Sequence, residues 1–348
     1  MSTIRILWIT PGFAPDESDL NCIPPLQFLA KALINQGVDL QILSLNFPHS
    51  DKLYHWHGIP VHPFGSIQIR SLRWLAWVRA LKVAGSLHRA GKFDVIHSFW
   101  LGPCWFLGRY LQKKWKVPHW TTLMGQDVLN TNRYLHFLSR TEAASLVAVS
   151  DFQNEHLEQS VGFGAGKCIP WGIATEDLPV TYPDQRPLDV LGCGSLIPLK
   201  DWNLWLEVMA MLVRWNPGLK AEIIGEGPER INIEKQIRKY RLGSHITLPG
   251  ALPRPAVLEK MRTAKVFLHT SSYESFGYVL AEAAGNGCHV VSTPVGIARD
   301  LASCGNTAGA LFNHVVRLFV LPPPSGPVPV KKMDEVAAKY LELYEDRK

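Results

Sequence analysis

Short runs of β-branched and aliphatic residues alternate along this chain with longer stretches whose apolar positions recur at helical spacing. In the first half, the runs at 4–10, 39–45, 94–98, 119–123 and 146–150 predict strands. Helices are predicted between them at 24–36, 71–89, 104–114 and 152–159. The alternation lapses in WGIATEDLPVTYPDQRP, residues 171–187, where Pro, Gly and charge occur without periodicity, so this stretch reads as a linker. It resumes with strands at 189–192, 220–225, 245–248, 266–270 and 289–293 and helices at 201–215, 229–240, 254–263 and 277–286. Repeated strand–helix–strand units require a parallel sheet with helices on both faces. The expected fold class is α/β, with two doubly wound, Rossmann-like domains at 1–170 and 188–330 and a closing segment at 331–348. Ligands of such sheets bind at the carboxyl ends of the strands, and the cleft between two such domains is the expected active site.

Composition agrees with two globular cores. Of 348 residues, 47% are apolar and 19% charged, which excludes a disordered or coiled-coil chain. No stretch approaches the ~18 uninterrupted apolar residues of a membrane-spanning helix. The opening MSTIRILWIT lacks the order of a signal peptide and reads as a buried strand, so a cytoplasmic protein is expected. Six cysteines, most in apolar segments and without a C-x-x-C pair, suit buried free thiols in a reducing cytoplasm and leave no structural zinc site. The Pro-rich LPPPSGPVP at 321–329 is the one loop-like anomaly.

The richest window for chemistry is VFLHTSSYESFGYVLAEAAGNGCHVVSTPVG, residues 266–296. A buried strand runs through a Ser-rich loop into a helix beginning near Gly277, and another strand follows. The amides of Ser275, Phe276, Gly277, Tyr278 and Val279 cluster at that helix start, where free N–H groups and the positive dipole end stabilise a diphosphate. Glu274 precedes the helix and Glu282 lies more than one turn inside it. A carboxylate accepting from a hydroxyl pair makes a charge-assisted contact, which suits Glu274 to sugar hydroxyls and Glu282 to ribose hydroxyls. The bland alternative for both is a solvated charge at a helix end.

ESFGYVLAE resembles the E-x7-E motif of retaining, nucleotide-sugar-dependent glycosyltransferases of the GT-B fold, specifically the large family 4. GSLIPLKDWNLWLE at 194–207 resembles that family's diphosphate loop, with Gly194, Ser195 and Lys200 in the donor site. IIGEGPE at 223–229, carrying Glu226, resembles its strand-end turn, and ITLPGAL at 246–252, carrying Gly250, its base-contacting segment. FDVIHSFW at 93–100 and CIPWGIATEDL at 168–178 match weaker signatures, and VAAKYLELYED resembles the closing helix that often crosses back onto the N-domain. The resemblance implies transfer of a hexose from a UDP- or GDP-linked sugar to a glycan or lipid-linked acceptor, in surface polysaccharide or glycolipid biosynthesis. It implies Lys200 and Glu274 as catalytic residues, no cofactor and no metal. His97, Met124 and Asp127 are the acceptor-side candidates, and Tyr273 and Trp171 are either pocket-lining or core.

Several positions depart from the family pattern. Ser195 stands where Arg is usual, Leu20 and Asn21 where a Gly-Gly loop is, and Met124 where His is. Asp300 follows Gly296 and Ile297 in place of the usual Glu, and 301–330 reads as shortened, a Pro-rich piece replacing helices. These departures motivate a competing reading, a catalytically inactive GT-B protein that binds nucleotide or a partner; a nucleotide-sugar epimerase is a third.

Charge is uneven. The net +6 conceals a segment, 52–116, with eleven basic residues, one acid (Asp94) and six of the twelve Trp; it carries +10, and the remainder is −4. Trp74, Trp77, Leu81 and Ala84 are expected on one face of the 71–89 helix, with Arg79, Lys82, Ser86 and Arg89 opposite. Such a helix either docks on anionic lipid at the inner face of the membrane or simply buries its Trp face. No nucleic-acid motif accompanies the charge.

Overall fold

The computed structural model describes residues 3–179, 181–183, 185–322, 324 and 330–346. The chain divides into two compact units, Met1–Gly172 with Lys331–Lys348, and Ile173–Val330. Residues 173–187 of the expected linker therefore group with unit 2, and the closing segment groups with unit 1.

Unit 1 runs β1 (Arg5–Gly12), α1 (Pro24–Asn35), β2 (Asp39–Phe47), β3 (Tyr54–Trp56), β4 (Ile59–Pro63), α2 (Arg73–Ala90), β5 (Val95–Phe99), α3 (Pro103–Trp115), β6 (His119–Thr122), α4 (Arg140–Ala143), β7 (Leu146–Ala148), α5 (Asp151–Val161) and β8 (Lys167–Cys168). Its sheet has the order β3-β4-β2-β1-β5-β6-β7-β8, parallel except for the β3–β4 hairpin. The central strands β1 and β5 are almost wholly buried, as strands covered on both faces must be, although β5 buries the polar His97 and Ser98 within it.

The face expected of the basic helix needs correction. Helix α2 buries Ala76, Ala80 and Ala84 on the sheet core, with Trp77 and Leu81 packed partly against it, whereas Trp74 is 54% exposed. Small residues let the helix lie close to the sheet and push the indole of Trp74 outward. Two other Trp of this segment, Trp56 and Trp105, are core residues, and Trp115 stacks on His88 with ring centroids 4.1 Å apart. Much of the Trp excess is therefore packing.

Unit 2 runs β9 (Leu188–Cys193), α6 (Trp202–Trp215), β10 (Ala221–Ile224), α7 (Arg230–Lys239), β11 (Ile246–Gly250), α8 (Arg254–Thr263), β12 (Ala264–His269), α9 (Tyr278–Gly285), β13 (His289–Ser292), α10 (Ala298–Leu301), β14 (Ser303–Cys304) and α11 (Ala308–Phe319). The sheet is parallel throughout, in the order β11-β10-β9-β12-β13-β14. Numbered within the unit this is 3-2-1-4-5-6, the Rossmann order, whose reversal point lies between β9 and β12. Helix α6 buries Trp202, Trp205, Leu206, Met209 and Leu212, an i, i+3, i+4, i+7 stripe, and Asp201 caps it by accepting from the Leu204 amide at 3.2 Å.

The expectation that 301–330 lacks helices is overturned. Helix α11, capped by Thr307, buries Leu311 and Val315 and packs on α6. The Pro-rich stretch 321–329 lies outside the described residues except at 321, 322 and 324. Helix α12 (Met333–Glu345) packs on α1 of unit 1, with Tyr340 and Tyr344 fully buried. All six cysteines are free, but only Cys104 and Cys288 are buried and Cys168 is exposed.

Candidate active site

Two loops of unit 2 meet at the reversal point of its sheet. One follows β9 and carries Gly194, Ser195 and Lys200; the other follows β12 and carries Ser271 to Gly277. Thr270 donates its hydroxyl to the carbonyls of Lys200 and Asp201, both at 3.0 Å, and the Ser272 amide donates to Leu199 at 2.9 Å. These bonds fix the loops against each other. The β10 turn is stitched in as well: Gly194 donates to Ile224 at 3.0 Å and Leu196 to Glu226 at 2.9 Å. Gly225 permits this approach, since a Cβ there would sit 1.9 Å from the Gly194 carbonyl oxygen.

The junction places Lys200 in an ion pair with Glu274. Oε1 of Glu274 also accepts from Ser271 Oγ at 2.9 Å and from His269 Nε2 at 3.2 Å. Burial works to raise this carboxyl's pKa. The His269 hydrogen bond and the Lys200 charge outweigh it, and the group falls to about 2. Glu274 is thus ionised at neutral pH. Oε1 takes all three donors, and Oε2 accepts no hydrogen bond among the described residues.

Glu282, buried in α9, shows the same asymmetry. Its Oε1 accepts from Arg254 Nε at 3.0 Å and Nη2 at 2.6 Å, and its Oε2 accepts no hydrogen bond among the described residues. Arg254 grips Asp177 as well, Nη1 to Oδ1 at 2.8 Å and Nη2 to Oδ2 at 2.7 Å. Burial raises the pKa of Glu282, and Arg254 pulls against it. The thiol of Cys193, at the end of β9, lies within electrostatic reach of both Glu282 and Lys200, so the two clusters flank one strand end.

A third group joins Glu226, Arg230 and Gly250 beside β11. Glu226 pairs with Arg230, whose Nη2 donates to Leu248 at 3.3 Å, and a Cβ on Gly250 would stand 2.8 Å from Glu226 Oε1. At the start of α9, Gly277 takes the left-handed conformation at φ 82°, and its carbonyl accepts from the Leu280 amide at 2.8 Å. Phe276 is buried, and its carbonyl accepts from Ile297 at 2.8 Å. Ser275 and Val279 are partly buried, Ser195 is exposed, and burial raises the Tyr278 hydroxyl pKa well above its ordinary value.

The acceptor-side candidates belong to unit 1. His97 is a packed core residue rather than one facing a ligand. Its Nδ1 bonds the Tyr344 hydroxyl at 2.6 Å and its Nε2 the Thr122 hydroxyl at 2.9 Å, and burial holds it neutral. Asp127 organises a loop, accepting from the amides of Leu101 (2.8 Å), Gly125 (2.9 Å) and Met124 (3.3 Å). Met124 itself is half-buried. Trp171 packs near Tyr340 in unit 1, and Tyr273 is buried in unit 2. Among the described residues, no three His, Cys, Asp or Glu side chains are grouped as a metal ion requires, and no helix is long and apolar enough to cross a membrane.

Two family profiles cover adjacent parts of the sequence. The profile described as Glycosyltransferase Family 4 matches 26–177, and that described as Glycosyl transferases group 1 matches 176–314. The chain belongs to the group 1, family 4 glycosyltransferases. It has their GT-B architecture of two parallel-sheet α/β domains. A solved member of the same fold, Anabaena HepE in complex with UDP and glucose, matches 99% of this chain and 95% of its own, with a TM-score of 0.64 at 17% identity. The 2-deoxystreptamine N-acetyl-D-glucosaminyltransferase of Niallia circulans is 25% identical over 318 residues, covering 80% of this chain and 81% of the relative. The phosphatidylinositol N-acetylglucosaminyltransferase gpi3 subunit of Schizosaccharomyces pombe is 34% identical over 109 residues. That match spans 31% of this glycosyltransferase and only 24% of the relative's length.

Three residues of the candidate site, His269, Arg254 and Asp177, are not among the candidates that the sequence offers. His269 carried a usable signal, a strand-end histidine five residues before Glu274. Asp177 lies within the signature stretch 168–178, but no pattern in the residues links it to Arg254, 77 positions away.

Proposed function

We propose that this glycosyltransferase is a retaining, metal-independent enzyme. It moves a hexose, N-acetylglucosamine being the first candidate, from a UDP- or GDP-linked donor to a glycan or lipid-linked acceptor. Surface polysaccharide or glycolipid biosynthesis is the setting proposed for it, at the cytoplasmic side of a membrane. The carrying observation is the paired asymmetry of Glu274 and Glu282: each has one oxygen held by protein donors and the other left to accept. Glu274 Oε2 then receives sugar hydroxyls and Glu282 Oε2 the ribose diol. The sugar named by the Niallia circulans and Schizosaccharomyces pombe relatives supports N-acetylglucosamine, and the UDP named for HepE supports a uridine donor.

As the bond from the anomeric carbon to the diphosphate oxygen breaks, negative charge builds on the leaving diphosphate. Lys200 and the first-turn amides of α9 face that charge without reorganising, the kind of electrostatic stabilisation that dominates many enzymes. A dedicated base is not needed when the departing diphosphate oxygen takes the acceptor's proton. Ser195 removes one cation from the usual set, leaving a larger share to Lys200. The exposed Ile69, Leu72, Trp74 and Val78, set among the basic residues of 52–116, support peripheral contact with anionic lipid.

Proton NMR of UDP-N-acetylglucosamine and GDP-mannose incubated with the enzyme tests this reading. Release of the α-configured sugar before mutarotation is expected. Release of the β-anomer would refute retention. Tight nucleotide binding with no turnover on any acceptor would leave the inert binder.

A further inference from the structure

Arg254 lies outside every motif that the sequence singled out, yet it is the hub of the nucleotide side of the site. It is the first residue of α8, Asp177 ends the short turn Thr175–Asp177, and Glu282 lies in α9. The three side chains are only 10–12% exposed, and two carboxylates share one guanidinium. Both fork nitrogens are occupied by Asp177, which fixes the plane of the guanidinium, while Nε and Nη2 together seize a single oxygen of Glu282. A carboxylate pinned at Oε1 by two donors has one orientation for Oε2. Arg262 braces the arrangement by donating from Nη2 to the Asp177 carbonyl at 3.3 Å. A lysine is a point charge and cannot plane-lock one carboxylate while orienting another.

We infer that Arg254 is a positioning residue for nucleotide recognition: anchored on Asp177, it holds Glu282 so that Oε2 faces the ribose hydroxyl pair. This rests on Glu282 being the ribose ligand, and the experiment separates the two ideas. Dissociation constants are measured by calorimetry for UDP, GDP and ADP and for the 2′,3′-dideoxy form of each. The proteins are the parent, Glu282→Ala, Arg254→Lys, Arg254→Met and Asp177→Asn, with thermal melting to check folding. The parent is expected to bind the preferred ribonucleotide about ten- to a hundredfold tighter than its dideoxy form, the span of charge-assisted hydrogen bonds. Glu282→Ala removes most of that preference.

Both Arg254 variants are expected to lose most of the preference too, with affinity for the dideoxy form unchanged, and Asp177→Asn to lose part of it. Arg254→Lys keeps the charge and so guards against a misfolded Arg254→Met. Preference lost in Glu282→Ala but retained in both Arg254 variants overturns the role of Arg254 and leaves that of Glu282 standing. Equal weakening of ribo and dideoxy forms in the Arg254 variants marks a merely structural residue and also overturns it. A parent without preference, or without binding to any of the three, overturns the reading of Glu282 and this inference with it.

Discussion

The Glu274 carboxyl offers a test of the site that needs no substrate. Its pKa in the folded protein is about 2, against an ordinary value of 4.5. A depressed carboxyl contributes stability that is fully present above the unfolded value and is lost as pH falls toward the folded one. The gap of roughly 2.5 units, at 1.36 kcal/mol each, amounts to about 3 kcal/mol near neutrality. By pH 3.5 about 1–1.5 kcal/mol of it is gone, because the unfolded carboxyl has already taken up its proton. Glu274→Gln removes this titration while keeping the shape. Urea unfolding of parent and variant, followed by Trp fluorescence between pH 6 and pH 3.5, measures the difference and cancels the other carboxylates. The parent's advantage should shrink by about 1–1.5 kcal/mol across that range. A constant difference would show that Glu274 titrates normally, and that the Lys200–His269–Ser271 cluster does not hold it as drawn.

Other outcomes follow from the same geometry. Lys200→Ala should lower turnover about 10²–10³-fold by steady-state kinetics, with donor affinity nearly intact, whereas Glu282→Ala should weaken UDP or GDP binding by calorimetry. Unchanged nucleotide affinity in Glu282→Ala would remove that residue from the ribose site. Trp205→Ala deletes a fully buried side chain whose Nε1 donates to Leu268 at 3.1 Å, and should cost about 3–5 kcal/mol in urea unfolding. Tyr344→Phe leaves His97 Nδ1 without its 2.6 Å partner and should cost about 1–3 kcal/mol, read the same way. In sedimentation with anionic vesicles, Trp74→Ala should reduce binding, and raised salt should reduce it further; equal sedimentation with neutral vesicles would refute the electrostatic contribution.

Patterning made most of the scaffold legible. Buried parallel strands such as β1 and β12 carry short apolar runs, Ile6–Ile9 and Val266–Leu268, and α6 carries a clean stripe, so their periods appear directly in the residues. The β3–β4 hairpin was invisible because YHW and IPVHP are too short and too polar to show a period. Helix α11 was hidden by the Pro-rich run that follows it, although Thr307 and the Leu311–Val315 spacing mark it. The true face of α2 depended on small residues meeting the sheet, and a reading weighted toward Trp74 and Trp77 placed it wrongly. At the candidate site, Glu274 and Glu282 share one contiguous strand–loop–helix stretch of sequence, whereas Lys200, 74 residues before Glu274, stood out only through the family resemblance. The pairing of Arg254 with Asp177 was not legible, because only the fold brings them together.

The return of α12 to unit 1 bears on how the protein is made. Unit 2 is continuous in sequence, whereas unit 1 needs both the first 172 residues and the last turns of helix, where Tyr340 and Tyr344 satisfy Thr122 and His97. At roughly 5–20 residues per second, the ribosome leaves the first portion waiting on the order of ten to thirty-five seconds for its final helix. Throughout that interval His97 and Thr122 lack their tyrosine partners and the surface that α12 will cover on α1 is open. The second unit to be synthesised is therefore the first able to finish folding, and a transcript truncated before Met333 would yield a sound unit 2 attached to an unfinished unit 1.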